Sequence, residues 1–349
     1  MPAFKGKEMR LRLRFTKMHG CGNDFILVNE SAGASQERKR GERAGAEREG
    51  AIPEERRGDV ARALCRRRFA VGADGLIFLC KPSSSAYDFR MRIFNADGTE
   101  AEMSGNGIRC AAKFAFEHGV APRKMRIQTE GGLRVAEVLK EKCEEAEEEA
   151  EEKAEGKNGS AGGVVGRTSL VRVFMGKPVF KCVDEPFKVK GSGMKGSGEE
   201  FEEVRLSVLS VGNPHAVMLV DSFEGLDVSA LGRRISSLPA FPEGVNVNFV
   251  ALRSKNEAES SEGAVGAAEE DVAEIQVRTY ERGVGETLSC GTGSTASVLA
   301  LHRLGILDAR KPVRVLTRGG VLTVELRDDG AYLTGPATDV CEGTVEISF

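Results

Sequence analysis

The sequence predicts an α+β protein made of two similar lobes. Three observations predict it. Strand patterns far outnumber helical ones, only two helix patterns stand out, and each of those helices lies in a segment that occurs twice. The first copy, from Met91, reads MRIFNADGTEAEMSGNGIRCAAKFAFEHGV, and the second, from Val277, reads VRTYERGVGETLSCGTGSTASVLALHRLGI. An offset of 186 takes Arg92 to Arg278, Phe94 to Tyr280, Glu100 to Glu286, Gly105 to Gly291, Gly107 to Gly293 and Gly119 to Gly305. The same offset takes Ser104 to Cys290. A second block repeats nearly in step: GNDFILV from Gly22 resembles GNPHAVMLV from Gly212, at an offset of 190. A chain built twice in this way folds as two pseudo-symmetric lobes. The simplest arrangement sets them face to face, with the glycine turns and the active site in the interdomain cleft, where ligand sites concentrate.

The elements follow in order along the chain. Leu11 to Phe15 alternates, and Phe25 to Val28 is short and apolar. Phe89 to Phe94, Val171 to Phe174, Ala216 to Val220, Val245 to Val250, Ile275 to Tyr280 and Val321 to Leu326 have the same character and are expected as strands. The helices are expected from about Gly107 to His118 and from about Gly293 to Leu304. Each starts after a glycine-rich turn and stops before a glycine, Gly119 or Gly305. Ser31 to Arg57, Glu141 to Gly166 and Ser254 to Asp271 are dense in charged and small residues and read as insertions at the surface. One lobe is therefore expected from residues 1–174 plus 329–349, with insertions at about 31–57 and 141–166. The other is expected from 175–328, with its insertion at about 254–271.

Composition narrows the function. Fifty basic residues against 53 acidic ones leave a net charge of −3, so no global field draws nucleic acid or an anionic membrane. Trp is absent and Tyr occurs three times, which makes an aromatic platform for bases improbable. No apolar run reaches membrane-spanning length, and Met1 to Lys17 is basic and alternating without a secretory apolar core. A cytoplasmic protein is expected. The eight cysteines form no C-x-x-C pair and the four histidines are scattered, so no metal site is expected and the thiols are expected to be free.

SGNG and CGTG each stand immediately before a helix. Glycine lets backbone approach a ligand closely, and the N–H groups of a helix start attract anions. A single such turn is more often a plain cap; two related copies, each led by a hydroxyl or thiol, point to a carboxylate ligand. Cys290 would sit at a helix mouth, where a thiol pKa falls from about 8.5 toward neutrality. A thiolate there can take a proton from a carbon acid, and the same amides can stabilise the enolate-like charge that develops. Inversion needs a proton returned on the opposite face, and position 104 is where that group is expected.

These residues resemble a known family. HGCGNDF (His19 to Phe25), FNADGTEAEMSGNGIRC (Phe94 to Cys110), GNPH (Gly212 to His215), FPEGVN (Phe241 to Asn246), YERGVGETLSCGTG (Tyr280 to Gly293) and YLTGPA (Tyr332 to Ala337) look like the diaminopimelate epimerases, in order and over nearly the whole chain. The resemblance implies two lobes, each a mostly antiparallel β-barrel or roll wrapped around a central helix. It implies interconversion of LL- and meso-diaminopimelate in lysine and cell-wall precursor synthesis, with no cofactor and no metal. It implies a homodimer with Tyr332 at the contact, a small-molecule amino-acid substrate, and neither nucleic acid nor membrane as partner. Substrate contacts carry over to Asn23, Asn95, Gly105, Asn106, Asn213, Asn246, Glu281, Arg282, Gly291 and Thr292. His215 and Glu281 match groups that assist proton transfer. Taken singly, each Asn reads as a turn residue and His215 as a loop histidine; the ordered set is what assigns them. Chemically the set suits a zwitterion: Asn donates and accepts, Arg282 can take a carboxylate and Glu281 an ammonium.

The departure is Ser104. The family's two acid/base cysteines map to 104 and 290, and only Cys290 is present. A hydroxyl is a far weaker base than a thiol unless a neighbour activates it. A Ser104/Cys290 pair could still epimerise, or the chain could act on another amino acid as a racemase or epimerase. It could also be a serine variant, impaired in catalysis, that still binds and traps its ligand. Cys110 lies inside the helix pattern and reads as packing, and Cys21 reads as a structural turn residue.

Overall fold

The computed structural model describes residues 10–31, 52–142, 166–190, 201–253 and 272–348. Of the expected insertions, residues 32–51, 143–165 and 254–271 lie outside the described residues. The chain divides into two units. One comprises residues 1–20, 24–171 and 337–349, and the other residues 21–23 and 172–336.

The first unit contains β1 (Arg10–Gly20), β2 (Asn23–Glu30), α1 (Arg57–Leu64), β3 (Gly75–Cys80), β4 (Phe89–Asn95), β5 (Glu100–Ala101), α2 (Gly105–Glu117), β6 (Lys124–Thr129) and β7 (Gly132–Lys142). It also takes the start of β8 (Thr168–Gly176) and the end of β17 (Gly330–Ser348). Pairings run from β8 through β17, β1, β2, β3, β4 and β6 to β7, forming an eight-stranded barrel. The β1–β17, β3–β4 and β6–β7 ladders are antiparallel, and β2–β3 and β4–β6 are parallel. At the barrel's centre lies α2, in which every residue from Gly105 to Ala115 is buried. A helix buried all round must be mostly small or apolar. The two long cations in α2 are accordingly paired: Arg109 donates to Asn106 Oδ1 (2.8 Å), and Lys113 meets Glu117 (2.8 Å) and Asp339 of β17 (2.6 Å). Outside the barrel, α1 sets Val60, Ala61 and Leu64 against Ile26, Leu76 and Phe78. The chain before α1 is ordered by Glu30, which accepts from the Ile52 N–H (2.9 Å) and pairs with Arg57 (2.7 Å).

The second unit repeats this plan. Its elements are the rest of β8, then β9 (Val179–Lys190), β10 (Phe201–Ser210), β11 (Pro214–Leu219), α3 (Val228–Ser236), β12 (Asn246–Leu252), β13 (Glu274–Glu281), β14 (Gly285–Thr287), α4 (Gly291–Arg303), β15 (Val313–Thr317), β16 (Gly320–Arg327) and the start of β17. The two parallel ladders recur at equivalent places, β11 with β12 and β13 with β15. As α1 lies between β2 and β3 in the chain, α3 lies between β11 and β12. All residues of α4 from Gly291 to Leu301 are buried, so α4 is this unit's central helix. Among the described residues, no helix is long and apolar enough to cross a membrane.

Each strand expected from the sequence lies in a strand, apart from the single end residues Val220 and Val245. Both main helices start two residues earlier than expected, at Gly105 and Gly291. The cause is capping: the side chains of Ser104 and Cys290 accept from the N–H three residues on and nucleate the first turn.

Candidate active site

Cys290 is the N-cap of α4. Its Sγ accepts from the Gly293 N–H at 3.4 Å and lies 3.3 Å from Thr292 Oγ1. Ser104 holds the equivalent place on α2, its Oγ accepting from the Gly107 N–H at 3.1 Å. Of the N–H groups at the start of α4, the cap takes that of Gly293, and that of Ser294 bonds the Cys290 carbonyl. The N–H groups of Gly291 and Thr292 belong to the first turn of the same helix, a place whose amides attract anions.

The electrostatics of Cys290 differ from the lowered pKa expected at a helix mouth. The residue is only 6% exposed, and burial pushes the thiol upward; the nearby Glu281 carboxylate adds to this. The Thr292 hydroxyl and the Gly293 N–H act in the opposite sense but do not win. Desolvation of a charged sulfur outweighs two hydrogen bonds. Glu281 also hydrogen-bonds the thiol, and its Oε1 accepts from the Thr287 hydroxyl at 2.6 Å. A proton leaving Cys290 thus has a carboxylate beside it.

His215, on β11, is fully buried and its pKa is pushed down to about 3 by burial. Its Nε2 lies 2.9 Å from Asn213 Oδ1 and its Nδ1 3.1 Å from Asn248 Nδ2. The imidazole is therefore neutral across the ordinary pH range. Asn213 Nδ2 reaches Thr292 Oγ1 at 3.4 Å. His215, Asn213, Thr292 and Cys290 thus form one continuous chain of hydrogen-bonding groups within the second unit.

Asn246 is almost fully buried and joins the start of β11 to the turn after β13, donating to the Pro214 carbonyl (3.1 Å) and accepting from the Arg282 N–H (3.0 Å). The Arg282 guanidinium is exposed and donates to the Glu243 carbonyl at 3.0 Å. In the first unit Asn95 donates to Thr99 Oγ1 at 3.0 Å, and Asn106 spends its side-chain oxygen on Arg109. Asn23, at the start of β2, is half-buried. Cys110 is fully buried in α2, and Cys21 is buried in a turn at a φ of +52°. Sequence reasoning missed Asn248 and Thr279. Thr279 donates to Asn248 Oδ1 at 3.1 Å, and both side chains are buried. Their signal was a polar residue at an inward place: Thr279 continues the alternation of Ile275 and Val277, and Asn248 stands between Val247 and Phe249.

Two units, each on a central helix capped by a hydroxyl or thiol at a glycine turn, give a fold found among solved epimerases. A hydroxyproline epimerase from Agrobacterium vitis superposes with a TM-score of 0.58 at 16% identity, covering 97% of this chain and 91% of that one. A PhzF-family protein from Bacillus anthracis superposes with a TM-score of 0.56 at 15% identity, over 97% and 99% of the two chains. Sequence narrows the class further. The family model described as diaminopimelate epimerase matches residues 15–152 and 207–340. A diaminopimelate epimerase from Methanocaldococcus jannaschii is 38% identical over 345 residues, covering 94% of this chain and 97% of its own. One from Archaeoglobus fulgidus is 38% identical over 341 residues, covering 97% and 98%. The chain belongs to the diaminopimelate epimerase family.

Proposed function

We propose that the protein epimerises LL-2,6-diaminopimelate to the meso form by proton transfer at one α-carbon, supplying lysine and cell-wall precursor synthesis in the cytoplasm. The observation that carries the reading is Cys290, capping a buried helix and flanked by Glu281, Thr292 and the Gly293 N–H. Passing the thiol proton to Glu281 leaves a thiolate held by two donors. That thiolate removes the α-proton, while the N–H groups of Gly291 and Thr292 stabilise the charge gathering on the substrate carboxylate. His215 reaches the same sulfur through Asn213 and Thr292 and assists the transfer. The proton for the second face comes from residue 104, here a serine, with Gly105 and Asn106 supplying contacts beside it. Asn23, Asn95, Asn213, Asn246, Glu281 and Arg282 hold the two amino-acid ends. No cofactor or metal enters the chemistry, and the working form is a homodimer with Tyr332 at the contact.

The experiment is incubation with LL-diaminopimelate in D2O, following the α-proton by NMR and the product by a chiral assay. Loss of the signal with formation of the meso isomer is the expected result. Exchange without inversion would mean that Cys290 works one face alone. Neither exchange nor inversion, in the protein or its Ser104→Cys variant, would overturn the reading.

A further inference from the structure

We propose that Asn248 is the positioning residue that sets the donor direction of the hydrogen-bond chain ending on the Cys290 sulfur. Its value to catalysis rests on the functional reading above; the direction of the chain does not.

A backbone carbonyl can only accept. Asn248 approaches the Ala216 carbonyl with one end of its amide at 3.3 Å, so that end is the NH2 group. The same nitrogen lies 3.1 Å from His215 Nδ1, so Nδ1 accepts and the ring proton resides on Nε2. Nε2 then donates to Asn213 Oδ1 at 2.9 Å. That contact fixes the second amide, whose NH2 faces Thr292 Oγ1 at 3.4 Å. Thr292 Oγ1 thus accepts from Asn213, and its own proton is available to Cys290 Sγ, 3.3 Å away, the sense in which this hydroxyl favours the thiolate. Together with the Gly293 N–H, the sulfur thereby receives two donors. The Glu281 carboxylate, the charged group that acts on the thiol, is the acceptor available to its own proton.

Asn248 is locked at its other end too. Its Oδ1 accepts from the Thr279 hydroxyl, and it lies where a Cβ on Gly293 would stand. Gly293 therefore admits the amide against the first turn of α4, the same turn that carries the Gly293 N–H to the sulfur.

The first unit provides the contrast. By strand register and repeat offset, His215 corresponds to Phe25, Asn248 to Ile77 and Thr279 to Ile93. There a Cβ on Gly107 would stand 3.1 and 3.2 Å from the Ile77 and Ile93 methyl groups. Hydrocarbon replaces the whole brace, and the capping residue is Ser104. The polar brace occurs in the unit that carries the cysteine.

The test is carried out on the whole protein with 15N-labelled histidine. The four histidines give separable ring signals, and His215 is assigned by its loss in His215→Gln. The expected result is an Nε2–H tautomer at His215. In Asn248→Asp the carboxylate can only accept, so the proton moves to Nδ1 and the chain reverses. Thr292 then accepts from the thiol instead of donating to it. Peptide-resolved alkylation of Cys290 by iodoacetamide at pH 8 is expected to slow about tenfold, equivalent to about one pKa unit. An Nδ1–H tautomer in the unsubstituted protein overturns the proposal without any variant, so a misfolded Asn248→Asp would not shield it. An unchanged tautomer or unchanged alkylation in a folded Asn248→Asp also overturns it. The expected tautomer and alkylation response, without exchange of diaminopimelate in D2O, would overturn the functional reading and leave this one standing.

Discussion

His215 makes the stability of the protein depend on pH in a definite direction. Its folded pKa is pushed down to about 3 by burial, against 6.5 for a solvated imidazole. Above pH 6.5 both folded and unfolded forms are neutral and the group adds no slope. Between 6.5 and 3 only the unfolded chain holds the proton, so stability falls with pH by about 1.4 kcal/mol per unit. Urea denaturation at pH 7, 6 and 5 should show this slope, and His215→Gln should lack it; parallel curves would contradict the assignment. His215 was singled out only by the resemblance of GNPH to a family block; alone it reads as a loop histidine. Its tautomer was not legible. It depends on Asn248, some thirty residues away in sequence, and on a carbonyl that only the strand register brings near. The direction of the Cys290 shift was hidden for a related reason. A helix mouth is visible in a sequence, whereas the depth of burial that outweighs it is not.

At the scale of elements, α2 depends on the buried Lys113. Its ammonium is fully buried between Glu117, one turn on in α2, and Asp339 of β17. Lys113→Ala strips the ammonium from Glu117 and leaves Asp339 with the more distant Arg167 guanidinium at 3.8 Å. A loss of about 3 kcal/mol is expected, because breaking a buried pair strands a charge. Equilibrium urea unfolding measures it, and a loss below about 1 kcal/mol would mean that water already serves those carboxylates. The two central helices and the main strands were legible because small residues and glycine punctuation mark them so strongly. α1 and α3 were not. Each is a short helix of eight or nine residues whose apolar face is brief and whose neighbours are charged, so tertiary packing decides it. The segment expected as an insertion up to Arg57 shows the same effect, since Ile52 and Arg57 are held by Glu30 of β2.

For the whole molecule, the proposed dimer makes the sharpest prediction. Tyr332 is half-buried, with its ring 5.2 Å from that of Phe174, the Arg327 guanidinium 4.7 Å above it and its hydroxyl on Asp329 at 2.6 Å. Sedimentation velocity should give a dimer, and Tyr332→Arg should shift it toward monomer; a monomeric unsubstituted protein would remove the proposal. The two-unit plan was the most legible feature of all, because glycines needed at equivalent turns preserve their spacing while other positions drift. What drifted is informative in another way. Gly107 and Gly293 occupy the same place in the same fold, yet one faces isoleucine methyl groups and the other a carboxamide. The two capping positions are therefore not interchangeable in their surroundings. In Ser104→Cys the new sulfur would cap a turn backed by hydrocarbon, whereas Cys290 caps one backed by an amide. Two thiols at equivalent places in one chain should then be alkylated by iodoacetamide at different rates.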